Sequence, residues 1–302
     1  MEQLLLEILD EASAEKSLGK TATYIPELTK ANPNDFGIYT VTDDGQHASV
    51  GDCNTAFTMQ SVVKPMILLR ALLDNGAERV MALVGMEATG KPFDAFNYSD
   101  RPLTEECINP MINAGAIALC SLIDGKTKEE KFDRLLNLTR ELASNTNLTV
   151  DEAVYASEDR TGNKNRALAY MLKAYKLINC DVEDLLYVYF RACSIRVNCH
   201  DLAMIALALS NRARDIKTEI PKEYIKMINA TMTISGMYDG SGEFAIKVGL
   251  PAKSGVGGGI MAVVPGRMGI GIYAPALDKK GNSCAGVKAL ELLSKKMDLS
   301  IF

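Results

Sequence analysis

The sequence predicts an α+β fold: one antiparallel sheet assembled from the N- and C-terminal segments, flanked by helices, with a helical subdomain inserted between them. Three observations predict it. β-compatible runs occur near both ends, the long middle repeats its apolar residues at three and four positions, and 47% hydrophobic with 24% charged residues over 302 positions suits a sizeable core. The chain reads as a single domain, with a sheet subdomain from about 1–58 and 238–302 and a helical subdomain over about 59–237.

Each element has its own signal. Leu4, Leu5, Ile8, Leu9 and Ala12 sit at helical spacing among Glu2, Glu7, Asp10, Glu11 and Glu15, so the start is an amphipathic helix and not a signal peptide. Residues 36–42 and 46–50 flank Asp43-Asp44-Gly45 and read as a hairpin. Helical patterns then dominate, as in Leu135, Leu136, Leu138 and Leu142, or Leu202, Ala203, Ile205, Ala206 and Leu209. Strand patterns return at 244–250, 259–264 and 268–273, the last two joined through Pro265-Gly266, and a helix over about 285–297 closes the chain.

Charge and cysteine usage exclude several classes of function. A formal net charge of −5 gives no broad cationic field for nucleic acid, and no run of 18 apolar residues offers a membrane span. The seven cysteines (Cys53, Cys107, Cys120, Cys180, Cys193, Cys199 and Cys284) form no CxxC pair and no cluster of metal-ligand spacing, which fits reduced thiols in a cytoplasm and no metal site.

Only two histidines exist, His47 and His200, and each suits a surface or capping role. A nucleophile would therefore take a lysine or tyrosine as its base. A serine three residues before a lysine on a helix puts both side chains on one face. The pattern occurs at Ser13/Lys16, Ser17/Lys20 and Ser61/Lys64, but the first two lie in or beside a charged helix. Ser61 instead opens an apolar helix, preceded by Phe57 and Met59 and followed by Met66, Ile67, Leu68 and Leu69. A lysine acting as base near neutral pH must fall roughly 3 units from about 10.4, a cost of about 4 kcal/mol on its charged form, which burial can supply. Pro65 requires this to be a first helical turn. A helix cap followed by a snorkelling lysine is the alternative.

A second constellation, Lys253-Ser254-Gly255-Val256-Gly257-Gly258-Gly259, joins two strand patterns and offers exposed backbone donors beside a sheet edge; a bulged hairpin is its plainer reading. The nearby Gly269-Ile270-Gly271-Ile272-Tyr273-Ala274 matches a dinucleotide fingerprint, but Pro275 and Asp278-Lys279-Lys280-Gly281 follow it where a helix is required, so it is rejected.

Ser61-x-x-Lys64 with Lys253-Ser254-Gly255 is the pairing of the β-lactamase and penicillin-binding architecture. The intervening residues resemble the serine-dependent glutaminase family. The resemblance runs through Tyr24-Ile25-Pro26-Glu27-Leu28, Gln60-Ser61, Asn109-Pro110-Met111-Ile112-Asn113-Ala114-Gly115, Val154 to Glu158 with Asn165-Arg166-Ala167, Tyr189 with Cys193-Ser194, Gly236-Met237-Tyr238-Asp239, and the Lys-Ser-Gly box. Val63, Pro65 and Ser235 depart from the family's usual residues without altering the Ser-Lys spacing.

The resemblance implies a β-lactamase/transpeptidase-like fold and hydrolysis of L-glutamine through a serine acyl-enzyme, with no cofactor and no metal. Ser61 is then the nucleophile, Lys64 the general base and Tyr238 a proton relay. The N–H groups of Ser61 and Val256 form the oxyanion hole, each donor worth about 3 kcal/mol. Glu158 answers the α-ammonium, while Asn113, Asn165, Tyr24, Tyr189 and Tyr238 supply donors. The resemblance also implies a homo-oligomer, a tetramer, with no nucleic-acid or membrane partner. Two rivals remain: another acylating hydrolase on the same fold, acting on β-lactams or peptides, and a catalytically inactive relative that binds.

Overall fold

The computed structural model describes residues 1–87, 108–211 and 216–302. The parts of the predicted helical stretch at 88–107 and 212–215 lie outside the described residues. In chain order the elements are α1 (Glu2–Ser13), β1 (Gly37–Thr42), β2 (His47–Gly51), β3 (Phe57–Thr58), α2 (Lys64–Met81), α3 (Asn113–Cys120), α4 (Lys128–Leu142), α5 (Glu152–Thr161), α6 (Asn163–Ala174), α7 (Val182–Cys193), β4 (Arg196–Val197), α8 (Cys199–Leu209), α9 (Lys222–Ser235), α10 (Ser241–Lys247), β5 (Ala252–Ser254), β6 (Gly259–Val264), β7 (Met268–Tyr273) and α11 (Cys284–Met297). Among the described residues no helix is long and apolar enough to cross a membrane.

The fold is α+β, and its main sheet joins the two ends of the chain in the antiparallel order β2-β1-β7-β6-β5. The hairpin turn closes at Gly45, whose φ of 87° only glycine adopts without strain. One face of the sheet buries Ile38, Val50, Ile260, Ile270 and Ile272 against α1 and α11, through Leu5, Ile8, Ala12, Leu290 and Leu293. The other face carries α8, laid across β7 and β6. Period-two alternation along β7 makes this possible: Ile270 and Ile272 point to α1 and α11, while Gly269 and Gly271 point to α8. A Cβ at either glycine would stand 2.0 Å from a carbonyl oxygen of α8, Ala203 O and Cys199 O. The glycines that imitate a nucleotide fingerprint are thus a helix seat.

One expectation needs correcting. Residues 244–250 are not a strand: Phe244, Ile246, Val248 and Leu250 alternate in the sequence, but Ser241–Lys247 is helical. Phe244 and Val248, four apart, face inward, while Ile246 is 88% exposed, and Gly249 ends the turn at a φ of 68°. Within the largely helical middle, β4 pairs with β3 in a two-residue ladder too short to leave a periodic signal.

Candidate active site

Ser61 lies in a 3-10 turn, Gln60–Val63, that runs straight into α2 at Lys64. In such a turn residues three apart stack, so the Ser61 and Lys64 side chains leave the same edge. Pro65 is tolerated because its missing N–H falls in the first turn of α2. Gln60 has a φ of 49°, a left-handed conformation that costs a non-glycine residue about 1 kcal/mol or more and marks a constrained approach to Ser61.

The β5–β6 turn packs directly on this helix start. A Cβ at Gly255 would lie 2.6 Å from Met59 O, and one at Gly257 2.5 Å from Thr58 O, so only glycines let the two backbones meet. Their approach brings Val256 beside Ser61, and both line a cavity of about 450 Å³. Seven of the nine residues chosen from the sequence line that cavity: Tyr24, Ser61, Asn113, Glu158, Asn165, Tyr189 and Val256. The other two stand just behind it. Lys64 is completely buried, and Tyr238 is 8% exposed with its phenol oxygen close to the Ser61 hydroxyl and the Val256 N–H.

Lys64 donates to Met111 O at 3.2 Å and to Asn113 Oδ1 at 2.7 Å. Asn113 in turn donates from Nδ2 to Asn165 Oδ1 at 2.9 Å. The chain Lys64–Asn113–Asn165 thereby fixes both amides, with oxygen toward the lysine and N–H₂ toward the pocket wall. Asn113 is set by the first turn of α3, and Asn165 by the first turn of α6.

Glu158 is 5% exposed near the end of α5, and Gly162 lets α6 turn away so that Glu158 and Asn165 border one space. Burial pushes the Glu158 carboxyl up to about 7, opposed by a hydrogen bond from the Gln60 side chain and by the Lys64 amine. Gln60 also accepts from Tyr24 Oη at 2.8 Å and donates to Thr58 Oγ1 at 3.3 Å. Tyr24, 54% exposed, stands at the mouth, whereas Tyr189 is buried in α7 and its phenol is pushed well up by burial and by Cys193. The Tyr238 phenol is likewise pushed up by burial, with the Ser61 contact acting the other way.

Gln60 is the residue that sequence reasoning passed over. Its neutral amide carries no charge or nucleophile to announce it; its place beside Ser61 was the available signal. Among the described residues no group of three or more His, Cys, Asp or Glu side chains is arranged to hold a metal ion.

The arrangement can acylate. It combines a hydroxyl, an adjacent amine, a phenol within hydrogen-bond reach, a backbone N–H beside the hydroxyl, and a carboxylate across the cavity. Comparison with known proteins agrees with that chemistry. The family model described as Glutaminase matches residues 19–302. A glutaminase of Clostridioides difficile is 51% identical over 304 residues, covering 100% of this chain and 98% of that protein, and one of Clostridium tetani is 48% identical over the full length of both. Among solved structures, the covalent complex of the Bacillus subtilis glutaminase YbgJ with 5-oxo-L-norleucine, formed by reaction with 6-diazo-5-oxo-L-norleucine, superposes with a TM-score of 0.89 at 35% identity, covering 100% of this chain and 99% of that one.

Proposed function

The chain belongs to the glutaminase family and is an amidohydrolase of the β-lactamase-like fold, and we propose that it turns L-glutamine into L-glutamate and ammonia through a Ser61 ester. The observation that carries this reading is the convergence of Ser61, buried Lys64, Tyr238 and Val256 at one end of a cavity whose other wall presents Glu158.

The α-ammonium of glutamine pairs with Glu158, and its polar groups take the donors of Asn165, Tyr24 and Tyr189. That docking carries the side-chain amide to Ser61. The Ser61 oxygen bonds to the amide carbon as Lys64 removes the hydroxyl proton. The two N–H bonds of a neutral Lys64 match the Met111 and Asn113 acceptors, leaving its lone pair for that proton. Negative charge gathers on the former carbonyl oxygen beside the Ser61 and Val256 N–H groups. The C–N bond then breaks as the nitrogen receives a proton relayed from Lys64 through Tyr238, and ammonia leaves. Water attacks the ester carbon as Lys64 accepts its proton, and the Ser61–carbon bond breaks as Lys64 returns that proton to the Ser61 oxygen, releasing glutamate and restoring the hydroxyl and the neutral amine.

We further propose that the protein acts in the cytoplasm as a homotetramer and is organised as a sheet subdomain (about 1–58 and 238–302) around a helical one (59–237). The family resemblance supports the first two points, and the free thiols of all six described cysteines support the cytoplasm. Two separate apolar cores support the third. Ammonia release from glutamine, asparagine and a β-lactam tests the activity. Turnover of glutamine alone is expected, and hydrolysis of the β-lactam in its place would transfer the fold to the rival reading.

A further inference from the structure

Behind the site lies a second completely buried lysine for which hydrolysis has no evident use. Lys253 sits in the middle of β5, with no carboxylate among its hydrogen-bond partners. Its Nζ donates to Gly236 O at 2.9 Å and Ser254 O at 2.6 Å, and lies 4.4 Å from the centroid of the Tyr238 ring. Burial pushes the Lys253 ammonium well below its ordinary range, and repulsion from Lys64 adds to this whenever Lys64 carries a proton from the reaction. A lysine kept in so unfavourable a place must be compensated by what it holds, since an apolar side chain of like volume would fill the space without desolvation.

What it holds are the two backbone segments that deliver the acylation groups. Gly236 lies two residues before Tyr238, and Ser254 two residues before Val256. Gly236 O also accepts from Ser254 N at 3.1 Å, so one carbonyl ties both segments together and Lys253 caps the junction. Tyr238 itself has a φ of 51°, a left-handed conformation that a bulky residue keeps only when its surroundings enforce it. Ser241 Oγ, donating to Tyr238 O at 2.8 Å, and Asn282 Nδ2, donating to Met237 O at 3.0 Å, fix the backbone on one side. The Lys253 head against the ring fixes the side chain on the other.

We infer that Lys253 is a positioning residue for acyl transfer: by bridging Gly236 O and Ser254 O and bearing on the Tyr238 ring, it sets the Tyr238 hydroxyl and the Val256 N–H at Ser61. It touches neither substrate nor reacting atoms. Two N–H bonds reach the two carbonyls in either protonation state, so the bridge does not depend on charge. The inference rests on the proposed role of Tyr238, and the experiment separates the two.

Lys253→Met, Tyr238→Phe and the double variant are compared for kcat and KM by ammonia release, and for the rate at which 6-diazo-5-oxo-L-norleucine labels Ser61. Lys253→Met is expected to lower kcat and the labelling rate about 100-fold with KM within about 3-fold, the pattern of a lost transition-state contact. If Lys253 works through the phenol and the Val256 N–H, the double variant should fall further than Tyr238→Phe alone but by clearly less than the product of the two single effects. Effects that multiply, or a raised KM with kcat retained, would overturn the positioning role. Full activity in Tyr238→Phe would remove Tyr238 from the mechanism, a separate failure visible without any Lys253 variant. Should Lys253→Met not fold, Lys253→Leu, which likewise lacks a donor, takes its place; a folded Leu variant with unchanged kcat overturns the inference equally.

Discussion

The two walls of the cavity are built on different principles. The reactive wall, from Gln60 to Lys64 with Tyr238 and Val256, is almost wholly buried and held by backbone: two left-handed non-glycine residues, glycines packed against carbonyls, and buried lysines on backbone and amide oxygens. The recognition wall, on α5, α6 and α7, is braced by ion pairs that reach the surface. Arg166 joins Asp159 and Glu183, both of whose side chains are 52% exposed. A covalent step tolerates little displacement of its atoms, which favours rigid burial. Recognition of a zwitterion needs a buried charge, Glu158, whose helix is held in place from the surface. Changes on the first wall should therefore reduce kcat, and changes on the second should raise KM.

The largest effect is expected at Ser61 and Lys64. Ser61→Ala and Lys64→Ala should each reduce kcat by about 1000-fold or more, and the double variant should be little worse than either, because the two act as one unit. Ammonia release measured under saturating glutamine checks this. Near-full activity in either single variant would break the comparison at its root.

Next comes Glu158→Gln, which keeps size and hydrogen bonding but removes the charge. It should cost about 100-fold in kcat/KM, most of it in KM, since a buried charged partner is lost to the α-ammonium. Equal losses in kcat would mean that Glu158 also serves the reactive wall. Acylation of a substrate lacking the α-ammonium should change little.

These two walls were unequally legible in the sequence. The reactive residues stood out because Ser-x-x-Lys in an apolar helix start and a glycine-rich strand turn are rare environments for charge, and the sheet followed from the short apolar β-compatible runs at 259–264 and 268–273. Recognition residues rested almost entirely on family resemblance: Glu158-Asp159-Arg160 reads as a solvated turn, whereas in α5 Glu158 falls four residues after Val154 on the buried face. Gln60 and the Lys253 bridge escaped because their roles lie in φ and in contacts to backbone carbonyls, which no residue type advertises. The strand expected at 244–250 failed for a related reason, since Phe244, Ile246 and Val248 satisfy alternation while four-residue spacing with Ile246 in solvent is what the chain adopts.

A titration sharpens the recognition wall without a mutation. Burial holds the Glu158 carboxyl up at about 7, so below that pH the empty site is protonated and must lose a proton to pair with the ammonium. KM for glutamine should therefore rise as pH falls through about 7, by about tenfold per pH unit, and level off above it. Glu158→Gln should abolish the dependence. A KM independent of pH across that range in the parent would assign the ammonium to another acceptor.

The smallest effect should come from Arg166, which touches no substrate-facing atom yet follows Asn165 directly and grips the residue after Glu158. Its Nη2 lies 2.6 Å from Asp159 Oδ1, its Nη1 donates to Asp159 O, and its Nε lies 3.2 Å from Glu183 on α7, the helix that also carries Tyr189. One guanidinium thus ties three helices bearing Glu158, Asn165 and Tyr189. Because the pairs are partly exposed, each contributes little alone. Arg166→Gln is therefore expected to raise KM only about 3- to 10-fold with kcat unchanged, as the three binding groups lose register. Arg166→Lys, which keeps the charge but not the fork, should behave nearly like the glutamine variant, because a point charge cannot hold Asp159 and Glu183 together. A fall in kcat with KM preserved would show that the two walls are mechanically one.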